Sequence, residues 1–279
     1  MKRIISWTKR SVQITFLAFF IVAGCNSAET LRPYPGGSGK FTDLVWQDEF
    51  DGVGLPDASK WDYEKGYVRN REMQYYPVRT EKAVQRDGCL VITARNDSAV
   101  IEGDIRPVTS ASIITKGKGD WLYGRVEVRA KLPSCLGSWP AIWMMPTTSV
   151  YGRWPKSGEV DIMEHVGYNP ETIFFNLHTE KYNHTKGSGR GASVNCPNPD
   201  KDFHVYAIEW FKDHIDWFLD DKKVFTVEND GAGWESWPMD QSFYLILNFA
   251  FGGAWGGSNG VDLTKLPQEF FIDYVRVFK

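Results

Sequence analysis

The chain has 279 residues and a formal net charge of −3, with 12 Trp, 12 Tyr and 17 Phe. That charge excludes binding that rests on clustered Lys and Arg, so the chain does not read as a nucleic-acid binder. The length admits one large all-β sandwich or two smaller domains, and the aromatic count exceeds what a core alone asks for, which leaves rings over for flat stacking surfaces.

The chain opens with Lys2, Arg3, Lys9 and Arg10, followed by an apolar stretch over residues 12–23. That stretch is too short to span a bilayer, so residues 1–24 read as a secretory signal. Val22-Ala23-Gly24-Cys25 resembles a bacterial lipobox, which implies that Cys25 becomes the lipid-modified first residue of the mature protein. An ordinary secretion signal with an incidental Cys is the alternative. Pro, Gly and Ser dominate residues 26–40, so residues 25–40 read as a flexible tether and residues 41–279 as one domain without linker or repeat. Loss of residues 1–24 removes four basic groups and no acidic one, moving the charge from −3 to −7. The implied location is that of an exported bacterial lipoprotein, held to a membrane by its anchor at the cell surface or facing the periplasm. Cys89, Cys135 and Cys196 then remain. They allow one disulfide at most, fit no zinc spacing, and default to structural thiols.

Beyond Phe41, short alternating runs separated by Gly, Pro, Asn or Asp predict a sandwich or barrel, and no segment holds helical periodicity. Residues 125–131 are the clearest strand, with Val126, Val128 and Ala130 facing inward and Arg125, Glu127, Arg129 and Lys131 on the other side. Residues 214–227 predict a hairpin turning at Asp220-Asp221-Lys222. Residues 243–251 and 270–278 are further strands, and the Gly-rich run 252–257 reads as a loop whose backbone passes close to something, a ligand being one candidate.

The densest chemistry lies at Glu159-Val160-Asp161-Ile162-Met163-Glu164. Strand alternation puts Glu159 and Asp161 on one face and Glu164 on the other. A β-bulge at Ile162-Met163 would return Glu164 to the face of its partners, and bulges are over-represented beside active sites. Two carboxyls would then stand roughly 5–5.5 Å apart across a groove, the separation used in retaining sugar hydrolysis. A solvated acidic face is the competing reading. The neighbours Trp139, Trp143, Trp154 and the apolar run 141–145 argue against it.

At these residues the chain resembles glycoside hydrolase family 16, whose signature of Glu, any, Asp, any, any, Glu is matched by residues 159–164. The stretches 44–51 (LVWQDEFD), 70–76 (NREMQYY), 123–133 (YGRVEVRAKLP), 139–144 (WPAIWM), 248–257 (NFAFGGAWGG) and 272–277 (IDYVRV) are similar to its laminarinase branch. The resemblance implies an all-β jelly-roll sandwich of two antiparallel sheets, concanavalin A-like, with a carbohydrate cleft on the concave one. It implies Glu159 as nucleophile, Glu164 as acid/base, and Asp161 as the residue that orients and tunes Glu159. It places Asn70, Glu127, Arg129, Trp139, Trp143, His178 and Trp255 at the substrate, with a core role equally open for Trp143. His165, His184, His204 and His214 default to surface or structural roles.

No cofactor is implied for catalysis. Many members hold a structural calcium, and Asp273 with carbonyls near Gly88 and Glu49 matches that site, although sequence offers one obvious carboxylate where calcium wants several oxygens. No phosphate cradle is present, since residues 36–40 have the wrong spacing. The implied protein is a monomeric endo-acting hydrolase of β-1,3 or mixed-linkage β-1,3/1,4-glucan. Related hydrolases of marine galactans (agarase, porphyranase or carrageenase type) are the close alternative, for which Arg153 and Lys156 are the basic residues near the motif. A non-catalytic glycan-binding sandwich would have lost one of the two glutamates, and both are present.

Overall fold

The computed structural model describes residues 33–97, 99–101 and 104–279. The predicted signal, Cys25 and the first part of the predicted tether lie outside the described residues. Two eight-stranded antiparallel sheets form the sandwich. The outer sheet runs in the order Lys222–Glu228, His214–Leu219, His204–Trp210, Gly124–Lys131, Gln268–Phe278, Cys89–Ala94 and Ala83–Arg86, with Leu44–Asp48 also on Gln268–Phe278. The inner sheet runs Arg190–Asn195, Thr172–His178, Glu159–His165, Ser138–Pro146, Phe243–Phe251, Ser112–Ile114 and Asp62–Tyr63, with Asp120–Trp121 also on Phe243–Phe251. Among the described residues the helical content is two 3₁₀ turns, His184–Lys186 and Leu263–Lys265. No helix among them is long and apolar enough to cross a membrane.

Alternation builds the single core between the sheets. Val126, Val128 and Ala130 from the outer sheet meet Ile142, Met144, Val160 and Phe175 from the inner one. Each such fully buried Ile, Val or Phe contributes about 1.5–3 kcal/mol over its exposed state. Part of the tryptophan surplus is spent here, because Trp61, Trp210 and Trp217 are among the largest fully buried side chains. Residues 214–228 form the expected hairpin, with Asp220 in the left-handed region at its turn (φ 53°). Cys89, Cys135 and Cys196 are free, buried thiols.

Two expectations are corrected on the outer sheet. Glu127 and Arg129 do not lie in a cleft floor. They stand on the outer face of the strand Gly124–Lys131, across the sandwich from the strand Glu159–His165. Nor are residues 33–40 a free tether, for they cap that face. The Tyr34 N–H donates to Glu127 Oε2 at 3.0 Å, Arg125 Nη2 donates to the Tyr34 carbonyl at 3.3 Å, and the Ser38 N–H donates to Glu209 at 3.0 Å. Beneath this cap Arg125 pairs with Glu127 at 2.9 Å and Glu209 at 3.3 Å, all three being 1% exposed or less. Gly37 lets the backbone come down on the pair, since a Cβ there would lie 2.3 Å from Glu209 Oε1. The alternation of charge in residues 125–131 had no way of showing that a segment from outside the sheet would cover it.

A buried pair that loses one member leaves an uncompensated charge, at a cost of about 3–5 kcal/mol. Glu127→Ala is therefore expected to lose stability on that scale in chemical denaturation while the folded fraction keeps its wild-type kcat/KM. A large kinetic defect in fully folded protein would return Glu127 to the cleft.

Candidate active site

The strand Glu159–His165 carries the predicted bulge. Against its neighbour Thr172–His178, Asp161 faces Asn176 and Glu164 faces Phe174, so Ile162 and Met163 together oppose Phe175 alone. The register against Ser138–Pro146 shifts at the same place. Both bulged residues are fully buried in the core. Two consecutive apolar side chains thus turn inward, and the carboxylates on either side of them emerge on the same face. The Asp161 carbonyl is tied from across the sandwich by Trp217 Nε1, which donates at 2.8 Å.

That face floors a cleft of about 330 Å³. Trp139, Ala141, Trp143 and Met145, alternate residues of one strand, meet Asn248 and Ala250 of the next, with Glu159, Asp161 and Glu164 beside them. Arg69, Asn70 and Glu72 form one wall, and Trp154 and His184 the other. Trp143 belongs to this face and not to the core between the sheets, packing with Ala141 and Ile246. Its Nε1 donates to Asn248 Oδ1 at 2.7 Å, and the Arg69 guanidinium lies 4.6 Å above its ring while pairing with Glu64.

The carboxylates differ in their partners. Glu164 accepts from Trp139 Nε1 at 3.0 Å and from Asn176 Nδ2 at 3.3 Å. Asp161, 1% exposed, has His178 Nε2 at 3.3 Å from its Oδ2. Burial, then the charge of Asp161, pushes Glu159 up to about 8. Burial, then the charge of Glu159, pushes Glu164 up to about 7, with the Trp139 hydrogen bond pulling the other way. Asp161 is raised well above the carboxylate range by burial and then by Glu164. Burial and mutual repulsion thus act in the same direction on all three carboxyls, each disfavouring ionisation of its neighbours.

Asn70 lines the cleft in the left-handed region (φ 54°), a conformation Asn tolerates. Its Nδ2 donates to Glu72 Oε1 at 3.3 Å, and Gln74 Nε2 donates to Glu72 Oε2 at 2.6 Å. Burial raises Glu72 as well. The Gly-rich run 252–257 passes close to this segment of the protein's own backbone. The Ala254 N–H donates to the Asn70 carbonyl at 2.9 Å, and a Cβ on Gly253 would lie 3.1 Å from the same oxygen. Trp255 stands behind Trp139, ring edge to face with centroids 5.4 Å apart, and against Phe174.

Of the residues singled out in the sequence, Glu159, Asp161, Glu164, Asn70, Trp139 and Trp143 line the cleft, while His178 and Trp255 support its members. Glu127 and Arg129 are elsewhere. Trp154, named only as an aromatic neighbour of the motif, lines the cleft, and so does His184, which was expected in a surface or structural role; Arg69, Glu72, Asn176 and Asn248 were not singled out, although Glu72 and Asn248 lie inside motifs that were. His184 is placed by a loop whose approach to the cleft has no local signal. Of the expected calcium donors, Asp273 and the carbonyls near Gly88 and Glu49, one is a carboxylate. That carboxylate, Asp273, pairs with Arg129 in this structure, and the Glu49 side chain pairs with Arg276.

The model of the glycosyl hydrolases family 16 matches residues 71–275. A β-glucanase of Rhodothermus marinus is 45% identical over 281 residues, covering 97% of this chain and 96% of its own. Among solved structures, the laminarinase of Rhodothermus marinus superposes with a TM-score of 0.82 at 48% identity, covering 85% of this chain and 97% of its own. A variant of SCLam, a non-specific endo-β-1,3(4)-glucanase crystallised with 1,3-β-D-cellotriosyl-glucose, gives 0.83 at 38% identity, covering 89% and 97%. Fold, cleft and motif thus agree with a match over most of the chain, which belongs to glycosyl hydrolase family 16.

Proposed function

We propose that this protein is a retaining endo-glycosidase that hydrolyses β-1,3 or mixed-linkage β-1,3/1,4-glucans through a covalent glycosyl-enzyme, with Glu159 as nucleophile and Glu164 as acid/base. The observation that carries the reading is the bulge that turns Glu159, Asp161 and Glu164 onto one face above a tryptophan floor. The 45% identical β-glucanase, and the glucan bound by a structural relative, support the substrate class. The cleft needs only one chain, and the protein acts as a monomer with no cofactor in its chemistry. Its described lining contains one cation, Arg69, already paired with Glu64. A sulfated galactan would call for free cations there.

In the first step a Glu159 oxygen bonds to the anomeric carbon as the glycosidic oxygen departs with the Glu164 proton; in the second, Glu164 takes a proton from water, which displaces Glu159. Glu159 must therefore be ionised while Glu164 is protonated. Asp161 is the most deeply buried of the three, and burial raises it well above the carboxylate range. Protonated, it no longer repels Glu159 and can donate a hydrogen bond to it, so the nucleophile keeps its charge. His178 positions Asp161. Asn70 offers a hydrogen bond to sugar hydroxyls, Trp139 and Trp143 offer apolar faces to the rings, and Trp255 props Trp139.

Residues 1–24 act as a lipoprotein signal and Cys25 as the lipid attachment point, which makes this an exported enzyme on a membrane. The short stretch between Cys25 and the segment docked at Tyr34 keeps the domain near that surface. Cys25→Ser is expected to move the protein from the membrane to the soluble fraction with activity on soluble glucan intact; an unchanged membrane fraction would contradict the anchor.

Glu159→Ala should lose hydrolysis of unactivated glucan and recover turnover of an activated glycoside when azide is added, giving the α-glycosyl azide. Wild-type turnover in this variant would remove Glu159 from the role. Trp139→Phe keeps a ring and deletes the donor to Glu164. Because that bond favours the charged carboxylate, its loss raises the Glu164 pKa, and the basic limb of the kcat/KM profile should move to higher pH with a drop of about tenfold, or roughly 1.4 kcal/mol. An unmoved limb would mean that Glu164 does not set it.

A further inference from the structure

The cleft holds a second arrangement besides the pair of glutamates. One ligand atom each from Glu159, Asp161 and His178 lies within 4.8 Å of the other two. Asp161 Oδ2, on a side chain 1% exposed, has no hydrogen bond. Its contact with His178 Nε2 at 3.3 Å is the one ion-pair contact of Glu159, Asp161 or Glu164 among the described residues, for no lysine or arginine pairs with any of the three. Three carboxylates thus converge on the cleft beside one imidazole, with no lysine or arginine paired to them among the described residues. A cation seated between them would relieve both the desolvation and the mutual repulsion.

The donor set defines which cation. Two carboxylate oxygens and an imidazole nitrogen suit zinc or copper, whereas calcium and magnesium want oxygen ligands throughout and more of them. Tetrahedral bonds of about 2.0–2.1 Å bring ligand atoms roughly 3.3 Å apart. The three side chains reach that spacing by closing in around the ion. Protein supplies three positions, and the fourth opens into the cleft where the sugar would lie.

We propose that Glu159, Asp161 and His178 form a site for a divalent transition-metal ion, Zn²⁺ or Cu²⁺, that excludes the sugar from the reacting position and so inhibits the enzyme. The site stands on the geometry of its ligands; its inhibitory consequence rests on the proposed role of Glu159. The ion and the glucan compete for one place, so inhibition raises KM and leaves kcat at saturating glucan unchanged.

The test is a Cu²⁺ titration of the full enzyme followed by electron paramagnetic resonance and calorimetry, with Zn²⁺, Ca²⁺ and Mg²⁺ in parallel. The expected result is one tight Cu²⁺ per chain with hyperfine coupling to an imidazole nitrogen, competition by Zn²⁺ but not by Ca²⁺ or Mg²⁺, and displacement by a laminari-oligosaccharide. His178→Gln should weaken Cu²⁺ binding by at least tenfold. Absence of nitrogen coupling in the wild-type enzyme, which needs no variant to fold, would overturn the site, as would Cu²⁺ binding unchanged in both His178→Gln and Asp161→Asn. Copper bound at these ligands with hydrolysis undiminished would contradict the role of Glu159 and leave the metal site standing.

Discussion

Ile162 and Met163 both point into the core, and the rest of the site follows from that one departure from strand alternation. A regular strand would have sent Glu164 into the apolar space between the sheets, where an ionised carboxylate is costly. Placing two apolar residues inward in succession satisfies the core and turns the third carboxylate outward. The bond from Trp217 to the Asp161 carbonyl and the opposition of Phe175 hold the bulge from two directions. Its position is thus set by packing and not by the carboxylates themselves.

The electrostatics then follow from position. Glu164 receives two donors, Trp139 and Asn176, while Asp161 receives a poorly aligned imidazole. Tryptophans under the cleft exclude water and also direct a polar edge, since Trp139 donates to Glu164 and Trp143 to Asn248. The same rings offer apolar faces to a pyranose. One residue type therefore sets the local dielectric, a carboxylate's proton affinity and the stacking surface together.

Much of this was legible in the chain. The bulge could be read because Ile162-Met163 breaks a carboxylate alternation that is otherwise regular, and the hairpin at Asp220-Asp221 because its turn residues punctuate two alternating runs. Glu127 and Arg129 were misplaced because charge alternation marks a strand face as polar without saying which sheet it belongs to or what will cover it. The cover is Tyr34 to Ser38, a Gly- and Pro-rich stretch that looks mobile until its backbone amides meet Glu127 and Glu209. The glycines at 252–257 correctly announced a close approach, but the approaching chain is the protein's own segment at Asn70 and Glu72. Tertiary neighbours such as His184 and Asn176 carry no periodic signal and could be found only in the folded chain.

In the proposed mechanism the bulge sets Glu159 and Glu164 close enough for direct attack and too close for a water to pass between the carboxylate and the sugar. Proton NMR of the first anomer released from a glucan oligosaccharide, recorded before mutarotation, tests this most directly. The β anomer is expected to appear first, with the α anomer growing in later. An initial α product would contradict the covalent intermediate, and with it the functional meaning assigned to the bulge.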